Sequence, residues 1–170
     1  LEGERVAGLA GMPSEIESAS YIRLRGTLRA ARANIAGARF MYVAGIRDGT
    51  LVYLVDAEAP DSAAFTPPGT TVESGDTRLW LQVMETRSPI FSPPSRDEWG
   101  VCVSAFAPIL RGGSAPVGTV YGVVGVDVPA LEWHRQINRR QLYVHCAFLL
   151  VIALGAVSYT HLRAHETEAD

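Results

Sequence analysis

Trp99-Gly-Val-Cys-Val-Ser-Ala-Phe-Ala-Pro-Ile-Leu110 and Val117-Gly-Thr-Val-Tyr-Gly-Val-Val-Gly-Val-Asp-Val128, joined by Arg111-Gly-Gly-Ser-Ala-Pro116, decide how this chain folds. Both arms are rich in Val and alternate with a period of two. Trp99, Val101, Val103, Ala105, Ala107 and Ile109 share one face of the first arm, and Val120, Val124, Val126 and Val128 share one face of the second. The connection holds Gly112-Gly113 and Pro116, which suit a chain reversal and stop a ladder. The pattern predicts the central pair of an antiparallel sheet. Pro129 then fits the first turn of a helix, Glu132 complements the positive N-terminal end of its dipole, and Arg139 and Arg140 stand at its far end.

From Gln141 to Leu162 the chain runs 22 residues without Asp, Glu, Lys or Arg. Its centre, Cys146 to Val157, is apolar all round a helix, whereas a surface helix keeps a polar face. A transmembrane helix is therefore expected over 141–158, continuing from a connecting helix over 129–140. Residues 159–170 are set apart. Ser158-Tyr-Thr-His-Leu-Arg-Ala-His-Glu-Thr167 is similar to a peptide that recurs at the ends of metagenomic reading frames as translated adapter, and we expect it to be non-native. His161, His165 and Glu166, spaced like a metal pair on a helix, fall in that tail and are not read as a metal site. The first residue is Leu, and a piece of a longer protein is expected.

At 170 residues, with the first 140 or so reading as soluble, the chain has room for one domain with its own core. The net charge is −3, and no basic run gives the electrostatic footprint of a nucleic-acid binder. All 15 basic residues are Arg, which fits a GC-rich codon bias better than any binding task. Cys102 lies in a predicted strand and Cys146 in the apolar segment, so two free, buried thiols are expected.

The remaining elements follow from local chemistry. Weak helical character around Arg5 to Leu9 leads to a turn at Gly11-Met-Pro13, and Ser14 with Glu17 has capping-box spacing, a pattern common by chance. Residues 1–19 are a lead-in. Tyr21, Leu24, Leu28, Ala31 and Ile35 recur every three or four residues while Arg23, Arg25, Arg29 and Arg32 lie elsewhere on the wheel, predicting an amphipathic helix from Ser20 to about Ala36 laid on the sheet. Phe40–Ala44 and Leu51–Asp56 are β-prone and flank Asp48-Gly49, the strongest hairpin signal in the chain. Between Ala57 and Asp76, Pro60, Pro67, Pro68, Gly69 and Gly75 exclude a helix interior or central strand and predict a long surface excursion. Thr77 to Thr86 offers a short helix, and Ile90-Phe91 a short edge strand stopped by Pro93-Pro94.

That order, with Arg39-Phe-Met-Tyr42, Leu51-Val-Tyr-Leu-Val-Asp56, the loop from Asp56 through Pro67-Pro-Gly69, Asp97-Glu-Trp-Gly100 leading into Val103–Ile109, and Gly122-Val-Val-Gly-Val-Asp-Val128, resembles the PAS-like extracytoplasmic sensor domains of the Cache type. These occur in bacterial histidine kinases, diguanylate cyclases and chemoreceptors. The resemblance covers most of Val6 to Arg140 and implies an α+β fold: a PAS-like five-stranded antiparallel sheet over 20–128 with a long N-terminal helix, followed by the transmembrane helix. It implies a non-catalytic, ligand-sensing input domain at the inner membrane, with the sensor domain outside, a homodimer in the full receptor, and an output domain beyond this chain. Arg135, Arg139 and Arg140 on the sensor side argue for the opposite orientation by the positive-inside rule, and the family's orientation is preferred here.

The resemblance also implies a small-molecule pocket between the sheet and the excursion. Tyr42, Tyr53, Asp56, Arg96, Trp99, Ser104 and Asp127 are the candidates. An organic anion could pair with Arg96 and lie on Trp99, and an amine could pair with Asp127 or Asp56, so an organic acid, amino acid or amine is the expected ligand class. Each residue has a competing structural role: Asp127 as a helix cap, the tyrosines as core, Arg96 and Asp97 as a solvated turn. No nucleophile elbow, phosphate-cradling Gly loop or paired-acid motif is present, and neither enzyme activity nor a cofactor is expected. The rival function is a membrane-tethered assembly domain without a small-molecule ligand.

Overall fold

The computed structural model describes residues 3–72, 77–97, 100–110, 119–135 and 137–138. The chain divides into two units after Ala130. Of the second, residues 131–135 and 137–138 are helical, and Glu132 pairs with Arg135 one turn on. The predicted transmembrane helix, Cys146 and the adapter-like tail lie outside the described residues. Among the described residues no helix is long and apolar enough to cross a membrane.

The first unit combines helices with an antiparallel sheet. Helix α1 spans Gly3–Ala7, a 3-10 turn spans Pro13–Glu17, α2 spans Ala19–Ala33 and α3 spans Thr77–Thr86. The strands are β1 Phe40–Arg47, β2 Thr50–Asp56, β3 Ile90–Phe91, β4 Ser95–Asp97, β5 Gly100–Leu110 and β6 Val120–Pro129. Their order across the sheet is β2-β1-β6-β5-β3, with β4 also pairing with β5. Among the described residues the sheet thus has six strands rather than the expected five. The extra one arises because Ser95–Asp97 returns alongside Gly100–Cys102 after Pro93-Pro94 has broken the edge strand, so β3 and β4 share one side of β5. The two long strands lie adjacent, and Phe40–Ala44 pairs with β6 from Asp127 to Val123.

The turn between β1 and β2 is the two-residue kind that the sequence predicts. Asp48 and Gly49 both take positive φ, 50° and 79°, the conformation that matches a tight turn to the right-handed twist of its strands. Helix α2 starts at Ser18, whose hydroxyl accepts the Tyr21 N–H at 3.2 Å. The Ser14–Glu17 spacing does not form the cap there. Glu15 instead gathers the N–H groups of Ala10, Gly11 and Met12 at 2.8 to 2.9 Å and holds the lead-in as a turn.

Both faces of the sheet are covered, which the single-face pattern of the long arms did not express. On one face α1 and α2 bury Val6, Tyr21, Leu24 and Leu28 against Met41, Val43, Val52 and Leu54. On the other, Trp80 and Val83 of α3 pack on Ala44, Leu51, Phe106 and Val123. Cys102 is buried in β5.

The excursion is stitched to the edge strand β2. Tyr53 N–H donates to Thr70 O, Gly69 N–H to Tyr53 O and Val72 N–H to Leu51 O, all at 2.8 to 3.0 Å, so the open edge of the sheet is sealed. Asp56 fixes its first loop, with Oδ1 accepting Glu58 N–H at 2.9 Å and Oδ2 accepting Thr66 N–H at 2.8 Å. An ion pair between Arg32 of α2 and Glu58 ties the same loop to the helix.

Burial pushes the Asp56 carboxyl above its ordinary range, against the opposing pull of the Glu58 and Thr66 N–H groups. Asp56→Ala leaves both N–H groups without their acceptor and is expected to cost about 2 kcal/mol in chemical denaturation, with new protease sensitivity within 57–66. The pH dependence has a definite sign. Because the folded protein holds the Asp56 proton more tightly than the unfolded chain, its contribution is present below the unfolded pKa and lost as pH rises through the folded one. Lowering the pH from 7 towards the acid range should therefore raise the stability of the natural protein relative to Asp56→Asn, measured by urea denaturation of both.

Candidate functional site

The central strands place three of the seven candidate residues together on the α3 face. Ser104 of β5 stands directly across from Asp127 of β6, so their side chains share a face, and both are buried. Tyr42 of β1 lies diagonally from Asp127, and its hydroxyl donates to Asp127 Oδ1 at 3.0 Å. That reach exists because Tyr42 stands opposite Gly125: a Cβ there would sit 2.5 Å from Tyr42 Cε2, so only glycine lets the ring lie down across β6.

Aromatic rings surround the pair. Trp80 stacks on Tyr42 at 5.7 Å between centroids with 30° between planes, Tyr53 meets Tyr42 edge-on at 5.5 Å, and Phe106 lies 4.7 Å from Trp80. Tyr53 therefore joins the cluster through its ring. Ser92 closes the far side. Its N–H donates to Ser104 O and its hydroxyl accepts the Ser104 N–H, both at 2.8 Å, which continues the ladder past the end of β3. The arrangement offers a carboxylate and two hydroxyl-bearing side chains at the margin of an aromatic wall. It can accept hydrogen bonds from a ligand N–H or O–H and stack against an apolar or cationic body.

The other candidates stand differently. Asp56 is opposite Tyr42 in register, but both of its oxygens are taken by the excursion's own N–H groups, which makes it a loop anchor. Arg96 is exposed and pairs with Val101, one position out of phase with Cys102 and Ser104, so it lies on the opposite face from Asp127. Alternation along β5 therefore puts Arg96 and Asp127 on different sides of the sheet. Trp99 lies outside the described residues. Asp127 sits within β6, paired with Phe40 on one side and Ser104 on the other. Trp80, Phe106 and Ser92 are not among the sequence candidates. The signal for Trp80 was present in the apolar stripe of Thr77–Thr86, which needs a face to cover.

An antiparallel sheet in the order β2-β1-β6-β5-β3 thus carries helices on both faces and a polar cluster on the α3 side. Comparison with solved structures returns the chemoreceptor Tlp3 of Campylobacter jejuni. Its ligand-binding domain with 4-methylisoleucine is similar at 18% identity and a TM-score of 0.47, over 75% of this chain and 46% of that one. The same domain with L-valine matches at 18% and 0.44, over 75% and 48%, and the sensory domain crystallised as Tlp3 (CcmL) at 17% and 0.45, over 75% and 48%. The chain spans about half the length of these domains. No family model matches the sequence, and no curated protein does.

Tyr42→Phe removes the hydroxyl bonded to Asp127 and keeps the ring, and is expected to cost about 1 kcal/mol in denaturation with little change in near-UV circular dichroism. Gly125→Ala should do the reverse: the new methyl displaces the Tyr42 ring from Trp80, changes the near-UV spectrum, and destabilises by about 1–3 kcal/mol.

Proposed function

We propose that the chain is the ligand-sensing input domain of a membrane-bound bacterial signalling receptor, held outside the inner membrane and passing a ligand-induced change to a transmembrane helix. The observation that carries this reading is the Tyr42–Asp127 pair. A buried carboxylate with a tyrosine donor, flanked by Ser104 and an aromatic wall, is costly to maintain unless something uses it. Asp127 is also three residues from the helical stretch that begins at residue 130, so a ligand drawing on Asp127 acts on the strand that leads towards the predicted span. A strand that changes its hold at Asp127 shifts where its own C-terminal end points.

The ligand class that suits the pair is a small molecule with an amino group, which a carboxylate can accept and an aromatic face can attract; an amino acid or a simple amine fits this better than an organic acid without a nitrogen. The domain itself performs no chemistry, and the output belongs to a domain beyond this chain. The functional receptor is a homodimer in this reading.

The test is a thermal-shift screen of the detergent-solubilised full chain against L-amino acids, primary amines and small carboxylates. A ligand at 100 times its dissociation constant stabilises by about 2.7 kcal/mol, which such a screen reads easily. An amine-bearing stabiliser whose effect disappears in Asp127→Asn is the expected result. A screen without any stabiliser favours a membrane-tethered assembly domain instead. Orientation is tested separately, by fusing alkaline phosphatase after Val157 in a chain exported behind an added signal helix. The fusion should be inactive, because that side is expected in the cytoplasm.

A further inference from the structure

Away from the Asp127 cluster, at the opposite end of β6, a cleft of about 500 Å³ opens between the end of α3, the end of β1 and the start of β6. Seven residue steps of strand lead from Val120, which lines this cleft, to Asp127, roughly 23 Å at 3.3 Å per residue. Among the described residues two cations line it, Arg47 and Arg87, and no carboxylate does. Neither arginine forms an ion pair among the described residues.

The two arginines are held in different ways. Arg47 is half-buried and clamped to the lead-in: Nε donates to Leu9 O at 2.6 Å, Nη2 to Val6 O at 2.9 Å and Nη1 to Ile46 O at 2.9 Å. Three of the five N–H groups of a guanidinium are used in this way, leaving one on each terminal nitrogen. Carbonyl oxygens orient the charge without neutralising it, and Glu15, the acidic group whose field reaches Arg47, spends its oxygens on Ala10, Gly11 and Met12. Arg87 is exposed just past α3, with a φ of 55°, and its N–H bonds back to Val83 O at 2.9 Å. The backbone that presents it is therefore set by the helix end while the side chain is open to solvent. Ile46, Met84 and Val120 are the apolar residues that line the same cleft, and Ile46 is 45% exposed although it belongs to a strand.

We propose that this cleft is a second ligand site, separate from the Asp127 cluster, which takes a small organic anion with an apolar body. The anionic group pairs with Arg87 and the remaining N–H groups of Arg47, and the body lies on Ile46, Met84 and Val120. A preoriented, partly desolvated guanidinium binds a carboxylate more strongly than a fully solvated one, because its own ordering is already done. The volume is that of a small-molecule site.

Benzoate and benzamide, alike in shape and different in charge, are the probes, titrated calorimetrically into the full chain and its variants. Saturable benzoate binding is expected. Binding should weaken about tenfold, or about 1.4 kcal/mol, in Arg87→Ala and for benzamide in the natural protein. Arg87→Lys should recover part of the loss, and Asp127→Asn should leave benzoate binding unchanged. Because Arg87 is exposed, its variants keep the fold, which the unchanged circular dichroism spectrum verifies. Benzoate binding that is equal in Arg87→Ala, equal to that of benzamide, abolished by Asp127→Asn, or not saturable up to about 10 mM overturns the proposal. The Asp127→Asn arm keeps this outcome distinct from that of the amine site.

Discussion

The antiparallel ladder between β5 and β6, from Cys102–Pro129 at one end to Leu110–Val120 at the other, is the constraint on which the remaining structure depends. β6 gives its other edge to β1, and β1 carries β2, so half of the sheet hangs from one strand. The outer edge of β5 takes β3 and β4 in turn. Pro108 lies beyond the stretch those two short strands cover, where a missing N–H donor is tolerated. Helices then close both faces because neither is polar enough to meet water.

A polar group in the middle of such a ladder has a special standing. Ser104 and Asp127 are a cross-strand pair inside the sheet, where apolar residues would have been cheaper, and Tyr42 reaches across β6 to satisfy the carboxylate. Asp56 shows the contrasting case. It too is a buried carboxylate, but its partners are backbone N–H groups of its own loop, and its work is finished within the fold. Asp56 is bonded by backbone N–H groups, whereas Asp127 accepts from a side chain of another strand.

The same contrast separates the arginines. Arg32 is committed to Glu58, and its task is to hold the excursion against α2. Arg47 is held by carbonyl groups, which direct it and leave its charge in place. Clefts lined by charges of one sign concentrate ions of the other, which makes the cleft beside Arg47 and Arg87 one that draws anions.

Local chemistry was legible wherever one residue type admits one conformation or one partner. Asp48-Gly49 announces a tight turn because both positions need positive φ, the stripe of Tyr21, Leu24 and Leu28 marks a helix that must be covered, and the prolines of 57–76 exclude regular structure. The adjacency of β5 and β6 also follows from their alternation and short connection. Face and register do not, and these decide the site. The irregularity between Val43 and Ala44 places Leu54 and Val55 together in the α2-side core, which strict alternation along β2 forbids, and the irregularity between Ile109 and Leu110 resets the phase again. Arg96 and Asp127 are equally available in the sequence, yet a single step of phase along β5 sets them on opposite sides. Trp80 comes from a helix whose sequence specifies an apolar stripe and not the surface beneath it, so its place beside Tyr42 and Phe106 was decided by packing between distant segments alone. Turns and periodicities are properties of neighbouring residues, whereas a binding cluster is a property of residues made neighbours by the sheet.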